Sequence, residues 1–574
     1  MCGIFGYLGT KNAVEVVADG LQSLEYRGYD SAGVAFHLGC EISVVKSVGK
    51  VSELKNAIKA KVKNPVGLSI GHTRWATHGG VTVENCHPHT SYCGSVSVVH
   101  NGIIENYAAL REELGKSGVK FKSQTDTEVI PNMVVKQTGS LASRVRAACK
   151  SLLGSYAFLV ISKDDPDTIV AAKKGTQPLC VGEGADGVYF SSDARALSGM
   201  CKNVFVLEDG EFAQVVGKEI TFFAGDKKQN KKPVEFAMNT VPVSKGKFPT
   251  FMEKEINEIP EVIENLRLYF DDKKCPSLPD LCDLKKRIEA CDTIHIAACG
   301  TSFFAGQYIA QHFATLGIKR VIVHIASELL CSSPIIGKND IAFVISQSGE
   351  TADTLSALQL FKSKGLFTVA ICNTQHSSIC RYSNMSLPTK AGQEIAVAST
   401  KAFIAQALVG EVVAAHVLGK QVDFKKYIVV AKDIVKKSDE IKSIAKKYKD
   451  IKKMFFLGKG LTTVIANESA LKVKEITYKH AEGIAAGELK HGTLALVDSD
   501  TLSIVLVPED EKAAAKIKNS ESEVRSRDSH VWEVPPTPSC LAVMYAQLFA
   551  LHKTYFMGLD PDKPRNLAKS VTVE

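Results

Sequence analysis

The sequence predicts an α+β domain built on antiparallel sheets, followed by two α/β domains with doubly wound parallel sheets. Three observations lead there. Up to about residue 225, short apolar stretches are separated by glycine turns, with helical segments between them. From about residue 284, apolar runs alternate regularly with helical segments. Finally, "IHIAACGTSFFAG" and "MFFLGKGLTTVIAN" repeat one strand, glycine turn and helix start, which marks a duplicated domain.

In chain order, "CGIFGYL" reads as a first strand and "AVEVVADGLQSL" as a helix. "SAGVAFHL", "EISVVKSV", "GLSIGHTRWA", "SVSVVHNG", "YAFLVIS" and "GVYFSSD" are further short strands. The polar, lysine-rich "AGDKKQNKKPVE" reads as a linker. "TIHIAA", "VIVHIA", "IAFVIS" and "FTVAIC" are the strands of the first parallel sheet, and "KMFFLGKG" opens the second. The expected boundaries are 2–225, a linker with connecting helices over 226–283, then 284–425, 446–565 and a tail over 566–574.

A chain of 574 residues needs more than one core. With 45% apolar and 23% charged residues it is ordinary for a folded protein. Its net charge of +8 is small for its length and suits small anionic substrates. No arginine-rich face with interleaved aromatics points to nucleic acid. No apolar run reaches the ~18 residues of a membrane span, and the start lacks a secretory pattern. Fifteen cysteines, without CxxC pairs, fit free thiols in a reducing, cytoplasmic setting.

Cys2 lies directly behind the initiator methionine. Once that methionine is trimmed, an α-amine of pKa about 7.7–8.0 lies beside the thiol, so one residue supplies nucleophile and base. "GHTRWATHGG" offers Arg74, whose fork suits a carboxylate. "VVHNGIIEN" offers Asn101 and the backbone N–H of Gly102 as oxyanion donors. "QTDTEV" offers Asp126 as partner for an ammonium. Taken singly, these are a buried thiol, a surface arginine, an Asn-Gly turn and a helix cap. Together they describe a glutamine pocket.

Two other patterns carry less. "GEGADG" over 182–187 satisfies GxGxxG, but strand-like "VYFSS" follows, so it reads as a hairpin turn. Cys86, His87, His89 and Cys93 lie close together, but at a spacing that matches no common structural zinc site, and no metal or other cofactor is expected.

"CGIFGY", "LEYRGYDSAG", "GHTRWATHG", "HNGIIEN" and "TDTE" resemble the class II glutamine amidotransferase domain, an N-terminal nucleophile hydrolase fold. The resemblance implies that Cys2 attacks the glutamine amide and releases ammonia. It implies that Arg74 holds the substrate carboxylate, that Thr77 and His78 line the pocket, and that Asn101 and Gly102 form the oxyanion hole. Asp126 would bind the α-amine, Trp75 would help gate ammonia, and Arg27 with Tyr29 would belong to a closing loop.

The second half supplies an acceptor site. Cys299-Gly-Thr-Ser302 and Ser346-Gln-Ser-Gly-Glu-Thr351 each follow a strand and open a helix, where free N–H groups favour a phosphate. Hydroxyls at Thr301, Ser302, Ser346, Ser348 and Thr351 add donors, and "AVASTKAF" gives a third such turn at Ser399 and Thr400. Simple helix capping is the plain alternative. In "ANESALKVKEITYKHAEG", Glu468, Lys472 and Glu475 fall on one helical face. That face is either solvated, with Glu468–Lys472 and Glu475–Lys479 pairs, or a carboxylate base beside an ammonium. His491, in "GELKHG", is a candidate acid or base.

"CGTS", "SQSGET", "VASTKAF", "ESALKVKEI", "GELKHG" and "PRNLAKSVTVE" resemble the paired sugar isomerase (SIS) domains of the glutamine–fructose-6-phosphate aminotransferase (isomerising) family. The resemblance spans nearly the whole chain. It implies that glutamine and fructose 6-phosphate yield glucosamine 6-phosphate, the first step of hexosamine synthesis. Thr301, Ser302, Ser346, Gln347, Ser348, Thr351 and Ser399 would hold the sugar phosphate, with Glu468 and Lys472 in support. Glu475 would shuttle a proton between C1 and C2. His491 would open the sugar ring from the partner subunit of a dimer, or of a dimer of dimers, and Lys569 would form an imine. The tail would then fold over the bound sugar and exclude water. An amidotransferase acting on another sugar phosphate and a non-catalytic sugar-phosphate sensor are the rival readings. Between "ESEVRSRDSHVWEVPP" and the last helix the chain is shorter than the family pattern, so a strand and loop of the last domain are expected to be missing.

Overall fold

The computed structural model of the protein describes residues 2–25, 28–62, 67–75, 79–234, 244–270, 277–332 and 334–571. The chain divides into two units: residues 1–243 with 570–574, and Ser244–Lys569.

The first unit is built from fourteen described strands. They are β1 (Gly3–Gly9), β2 (Ser31–Leu38), β3 (Glu41–Val48), β4 (Leu68–Arg74), β5 (His89–Thr90), β6 (Val96–Gly102) and β7 (Tyr156–Ser162), followed by β8 (Asp165–Lys174), β9 (Cys180–Gly184), β10 (Gly187–Ser191), β11 (Cys201–Val206), β12 (Glu211–Val216), β13 (Glu219–Ala224) and β14 (Lys227–Gln229). They form two seven-stranded sheets, in the orders β11-β9-β10-β1-β4-β2-β3 and β14-β13-β12-β8-β7-β6-β5. All the described pairings in both are antiparallel.

Alternation along β7 shows how the layers arise. Ala157, Leu159 and Ile161 join a core with Ile4, Ile70 and Phe190 of the other sheet. Tyr156, Phe158 and Val160 face the opposite way, onto α3 (Tyr107–Lys116), α4 (Val129–Val135) and α5 (Leu141–Cys149). The other sheet turns its outer face to α1 (Ala13–Leu24) and α2 (Val51–Lys61). The result is helix, sheet, sheet, helix, as an α+β pattern with two-faced strands requires. "GEGADG" is the β9–β10 hairpin.

The lysine-rich stretch read as a linker departs from expectation. Residues 227–229 turn back through Gly225 and pair with β13 as an edge strand. Gln229 Nε2 and Lys231 Nζ then reach Glu211, at 2.6 and 2.5 Å. Lysines suit such an edge because they resist further strand pairing.

The second unit opens with α6 (Phe251–Asn257), α7 (Ile259–Phe270) and α8 (Leu278–Ala290). The first parallel sheet follows: β15 (Thr293–Ala298), α9 (Gly300–Thr315), β16 (Arg320–Ile325), α10 (Ala326–Ser332), β17 (Ile341–Ser346), α11 (Ala352–Ser363), β18 (Phe367–Cys372), α12 (Ser378–Tyr382) and β19 (Met385–Pro388), in the order β16-β15-β17-β18-β19. Helices α13 (Lys401–Val417), α14 (Phe424–Lys436) and α15 (Ser438–Lys447) lead to the second sheet. That sheet comprises β20 (Lys453–Gly458), α16 (Leu461–Thr477), β21 (His480–Ala485), β22 (Thr501–Leu506), α17 (Glu511–Arg525) and β23 (His530–Val534), in the order β21-β20-β22-β23, before α18 (Val543–Phe556).

The two orders superpose strand for strand, as the internal repeat predicts, but nothing corresponds to α12 and β19 in the second sheet. This is where the sequence read short. One core runs through the whole unit, joining Phe343 and Phe403 to Phe456 and Phe549. Each such fully buried side chain contributes roughly 1.5–3 kcal/mol relative to exposure.

Candidate active sites

In the first unit, Cys2 precedes the central strand β1 of one sheet, and Asn101 and Gly102 end β6 of the other. The Cys2 Sγ donates to the Trp75 carbonyl at 3.6 Å and accepts from the Trp75 N–H at 3.4 Å. Asn101 Nδ2 donates to the Cys2 carbonyl at 3.3 Å. Burial pushes the Cys2 thiol above its ordinary value, against the pull of the chain terminus and Arg74. Gly102 has φ +120°, and a Cβ there would lie 2.1 Å from the Ser155 carbonyl oxygen, so no other residue fits.

Buried Arg74 donates to the carbonyls of Gly79 and Gly80 at 3.2 and 3.1 Å, which aims its fork. Asp126 Oδ2 accepts from the Ile104 N–H at 2.8 Å. Trp75 packs edge-on against Tyr29, with ring centroids 5.7 Å apart. Arg27, Thr77 and His78 lie outside the described residues.

Behind Asn101 lies a histidine stack, of which the sequence marked only His87 and His89, and those as part of a weak metal pattern. His72 Nε2 is 3.1 Å from Asn101 Oδ1, and its ring stacks on His87 at 4.0 Å. His87 in turn meets His89, while His100 Nδ1 bonds Thr127 at 2.8 Å. Burial, with the neighbouring rings, pulls His72 down to about 3, so it is neutral and donates through Nε2–H.

In the second unit, the loops at the carboxyl ends of β15 and β17 open α9 and α11. Ser346 Oγ accepts from the Gly349 N–H at 2.9 Å and bonds Thr351 at 3.2 Å, while Ser348 Oγ accepts from the Glu350 N–H at 3.2 Å. The Gln347 carbonyl accepts from Thr374 Oγ1 at 3.3 Å. Ser302 accepts from Gln406 at 3.1 Å.

Thr301 faces the charged stripe of α16. Lys472 Nζ lies 2.9 Å from Thr301 Oγ1, 3.3 Å from Glu468 and 2.7 Å from Glu475. The Lys472 and Glu468 side chains have no solvent exposure and Glu475 has 19%, so this is not a solvated face. Lys472 is shared between both carboxyls of its own helix, in place of the expected Glu475–Lys479 pair. Burial raises the farther carboxyl, Glu468, to about 8 despite Lys472. Burial alone would lower the Lys472 ammonium, but the two carboxyls outweigh it and its pKa ends above the ordinary value. His491 closes a short 3₁₀ turn, Ala486–His491, and is exposed.

Lys569 lies in a place sequence reasoning did not find. Its Nζ meets Glu394 Oε2 at 2.5 Å, with side-chain exposures of 3% and 0%. The same oxygen accepts from Ser399 Oγ at 2.8 Å, and Oε1 accepts from the N–H groups of Thr400 and Ala402 at the start of α13. Burial would raise this carboxyl, but Lys569 and those N–H groups hold it at about 2. Beneath it, Glu255 of α6 accepts from the N–H groups of Ile395 and Ala396. Burial and the Glu394 charge push Glu255 up to about 8.

Comparison with known proteins matches both halves of the chain to family models. A glutamine amidotransferase domain model matches residues 72–199, and a SIS domain model matches 287–416 and 447–532. The glutamine–fructose-6-phosphate aminotransferase [isomerizing] of Fusobacterium nucleatum is 41% identical over 619 positions, covering all of both chains. The protein of that name from Aquifex aeolicus is 40% identical over 605, again end to end. The chain belongs to the glutamine–fructose-6-phosphate aminotransferase family. Among solved structures, the C-terminal domain of the Francisella tularensis family member is 34% identical, with TM-score 0.50, covering 56% of this chain and all of that one. The matched spans contain Arg74, Asn101, Asp126, the loops after β15 and β17 and the α16 charges. Cys2 and Lys569, at the two ends, fall outside them.

Proposed function

We propose that this chain makes glucosamine 6-phosphate from fructose 6-phosphate with nitrogen from glutamine. Cys2 is the nucleophile. Its buried thiol is a weak acid, so it needs a base alongside, and its own α-amine supplies one after methionine removal. The thiolate adds to the glutamine side-chain carbonyl. Asn101 Nδ2 and the Gly102 N–H stabilise the oxyanion. Collapse expels ammonia and leaves a thioester, which water cleaves to glutamate. Arg74 takes the glutamine carboxylate and Asp126 its ammonium, with Trp75 beside the nucleophile.

In the second unit, Thr301, Ser302, Ser346, Gln347, Ser348, Thr351 and Ser399 receive the sugar phosphate. Lys569 forms an imine with the open-chain ketose at C2, with loss of water. Ammonia displaces it, and Glu475 carries a proton between C1 and C2 beside Lys472 and Glu468. His491, exposed on its own subunit, serves ring opening in a partner subunit. This requires at least a dimer. Among the described residues, no helix is long and apolar enough to cross a membrane. The free thiols fit a cytoplasmic enzyme.

The observation that carries this reading is the lysine of the C-terminal tail, buried against Glu394 beside Ser399. A loose tail would leave that ammonium in water. The test measures glutamate and glucosamine 6-phosphate separately. Cys2→Ala should lose both when glutamine is the donor, while sugar-phosphate binding survives. Lys569→Ala should lose glucosamine 6-phosphate and keep glutamate release. Full synthesis by either variant overturns the reading, and a panel of other ketose and aldose phosphates checks the substrate.

A further inference from the structure

Behind the β17 phosphate loop lie two cysteines that the proposed chemistry does not use. Cys372 ends β18 and is fully buried; Cys380 sits on α12 and is partly exposed. Both thiols donate to one oxygen, the Thr374 carbonyl, at 3.6 and 3.5 Å. Cys372 touches Ser377 Oγ at 3.5 Å, and Ser386 Oγ donates to Cys380 Sγ at 3.2 Å. The contact with Cys372, aided by those hydroxyls, draws the Cys380 thiol down to about 6. Its proton is thereby more easily lost to give the thiolate, the form that reacts with oxidants.

The phosphate loop rests directly on this pair. Gly349 has φ +70°, and a Cβ there would lie 1.9 Å from Ser377 Oγ and 2.9 Å from Cys372 Sγ. Three hydrogen bonds tie the loop to the segment that carries both thiols. Thr374 Oγ1 donates to the Gln347 carbonyl at 3.3 Å, the Ile379 N–H to the Gly349 carbonyl at 3.0 Å, and the Ser378 N–H to Glu350 at 2.8 Å. A change in the Cys372–Cys380 separation thus has no slack to absorb it before it reaches the loop.

We infer that Cys372 and Cys380 are a reversible oxidation site, a dithiol that closes to a disulfide under peroxide and weakens the phosphate loop above it. In the first step the Cys380 thiolate attacks a peroxide oxygen, giving a sulfenic acid and hydroxide. In the second the Cys372 thiol attacks that sulfur, the S–S bond forms and water leaves. Two electrons pass to the peroxide, and a dithiol reductant returns them. The disulfide requires the sulfurs to close to bonding distance (about 2.05 Å), which pulls Cys372 away from Ser377 and the seat of Gly349.

That the loop holds a sugar phosphate rests on the function proposed above, so the test reads the thiols and the ligand separately. The full-length protein is treated with hydrogen peroxide and excess peroxide is removed. Peptide mass spectrometry without reduction should show Cys372 linked to Cys380, with two hydrogens lost, and dithiothreitol should reverse it. Binding of glucosamine 6-phosphate is then measured by calorimetry rather than turnover, because Cys2 is itself oxidisable. Oxidation should weaken it about fivefold or more, the lower range of an allosteric coupling. Cys380→Ala should bind as the reduced protein does, before and after peroxide. Absence of the linkage refutes the site, and linkage with unchanged affinity refutes the coupling. Equal loss of affinity in Cys380→Ala also refutes the coupling. Failure of the reduced protein to bind the sugar phosphate refutes the proposed function instead, while the linkage result stands on its own.

Discussion

Glu468 is the residue whose replacement tests the charged stripe of α16 most sharply. Its carboxyl is fully buried, and Oε2 has no hydrogen-bond partner. Burial raises it from its ordinary 4.5 to about 8. A folded-state value above the unfolded one means that the neutral carboxyl's contribution is complete below about pH 4.5. It is lost progressively as pH rises toward 8. The slope is about 1.4 kcal/mol per pH unit, so close to 4 kcal/mol disappears between pH 5 and 8. Glu468→Gln keeps the acceptor for Thr301 and Lys472 but cannot ionise. Its amide inherits the unpartnered place of Oε2, a penalty of about 1–3 kcal/mol that does not vary with pH. The informative quantity is therefore the stability difference between variant and wild type at pH 5, 6, 7 and 8, from urea unfolding of the full chain. It should move in the variant's favour by about 3–4 kcal/mol across that range. A constant difference would refute the reasoning, and so would one that moves the other way. A constant difference is what a Glu468 ionised throughout the range, and held so by Lys472, would give. The same variant should lose glucosamine 6-phosphate synthesis and keep glutamate release.

Three further outcomes follow from single contacts. His72→Phe should lower glutaminase kcat by about 10²-fold, the scale of a lost oxyanion donor, with KM for glutamine little changed. An unaltered kcat would show that Asn101 needs no support from His72. Glu394→Gln should free Lys569, visible as faster tryptic cleavage of the tail. Because Glu394 is held at about 2, the stability it lends is complete above pH 4.5 and fades as pH falls toward 2, so the gap to wild type should close over that range. Lys553→Met removes the donor to the carbonyls of Tyr448, Lys449 and Ile451 just beyond α15. Three unsatisfied acceptors should lower stability by at least about 3 kcal/mol, and a loss below about 1 kcal/mol in chemical denaturation would show that water replaces the ammonium.

Both layered architectures were legible because their signals are local. The first unit's strands are short and set off by glycine turns, while β17, and β15 apart from Thr293 and His295, are apolar runs that end in glycine–hydroxyl loops. Cys2, Asn101 and the loops after β15 and β17 could be singled out as candidates because each is marked by its neighbours in sequence. What escaped detection depends on distant packing. Glu468 and Lys472 make an ordinary i, i+4 pair, and periodicity cannot say that another helix, α9, covers them through Thr301. Glu394 and Glu255 lie far apart in sequence. The only hint of either was a carboxylate in apolar surroundings, in "GQEIAVAST" and "FMEKEINEI". The lysine-rich edge strand β14 was misread because its composition is a loop's; only its pairing with β13 makes it a strand.

The unequal sheets follow from what each must support. In the first sheet, α12 braces the loop after β17 through the Ser378 and Ile379 N–H groups, and β19 anchors α12 by pairing with β18. That brace is needed because the loop carries the hydroxyls of Ser346, Ser348 and Thr351 and a glycine in a left-handed conformation. In the second sheet, β22 runs through "VPEDE" directly into α17, whose start is capped by the Asp510 carboxylate, a residue that repels phosphate. There is no such glycine–hydroxyl loop here to brace. What this half contributes is α16, which is held from the other side by α18 and the shared core. Loss of a fifth strand therefore exposes β23 as an edge without disturbing any residue of the proposed site. The charge on that edge, Glu533 paired with Lys518, discourages further strands from adding to it.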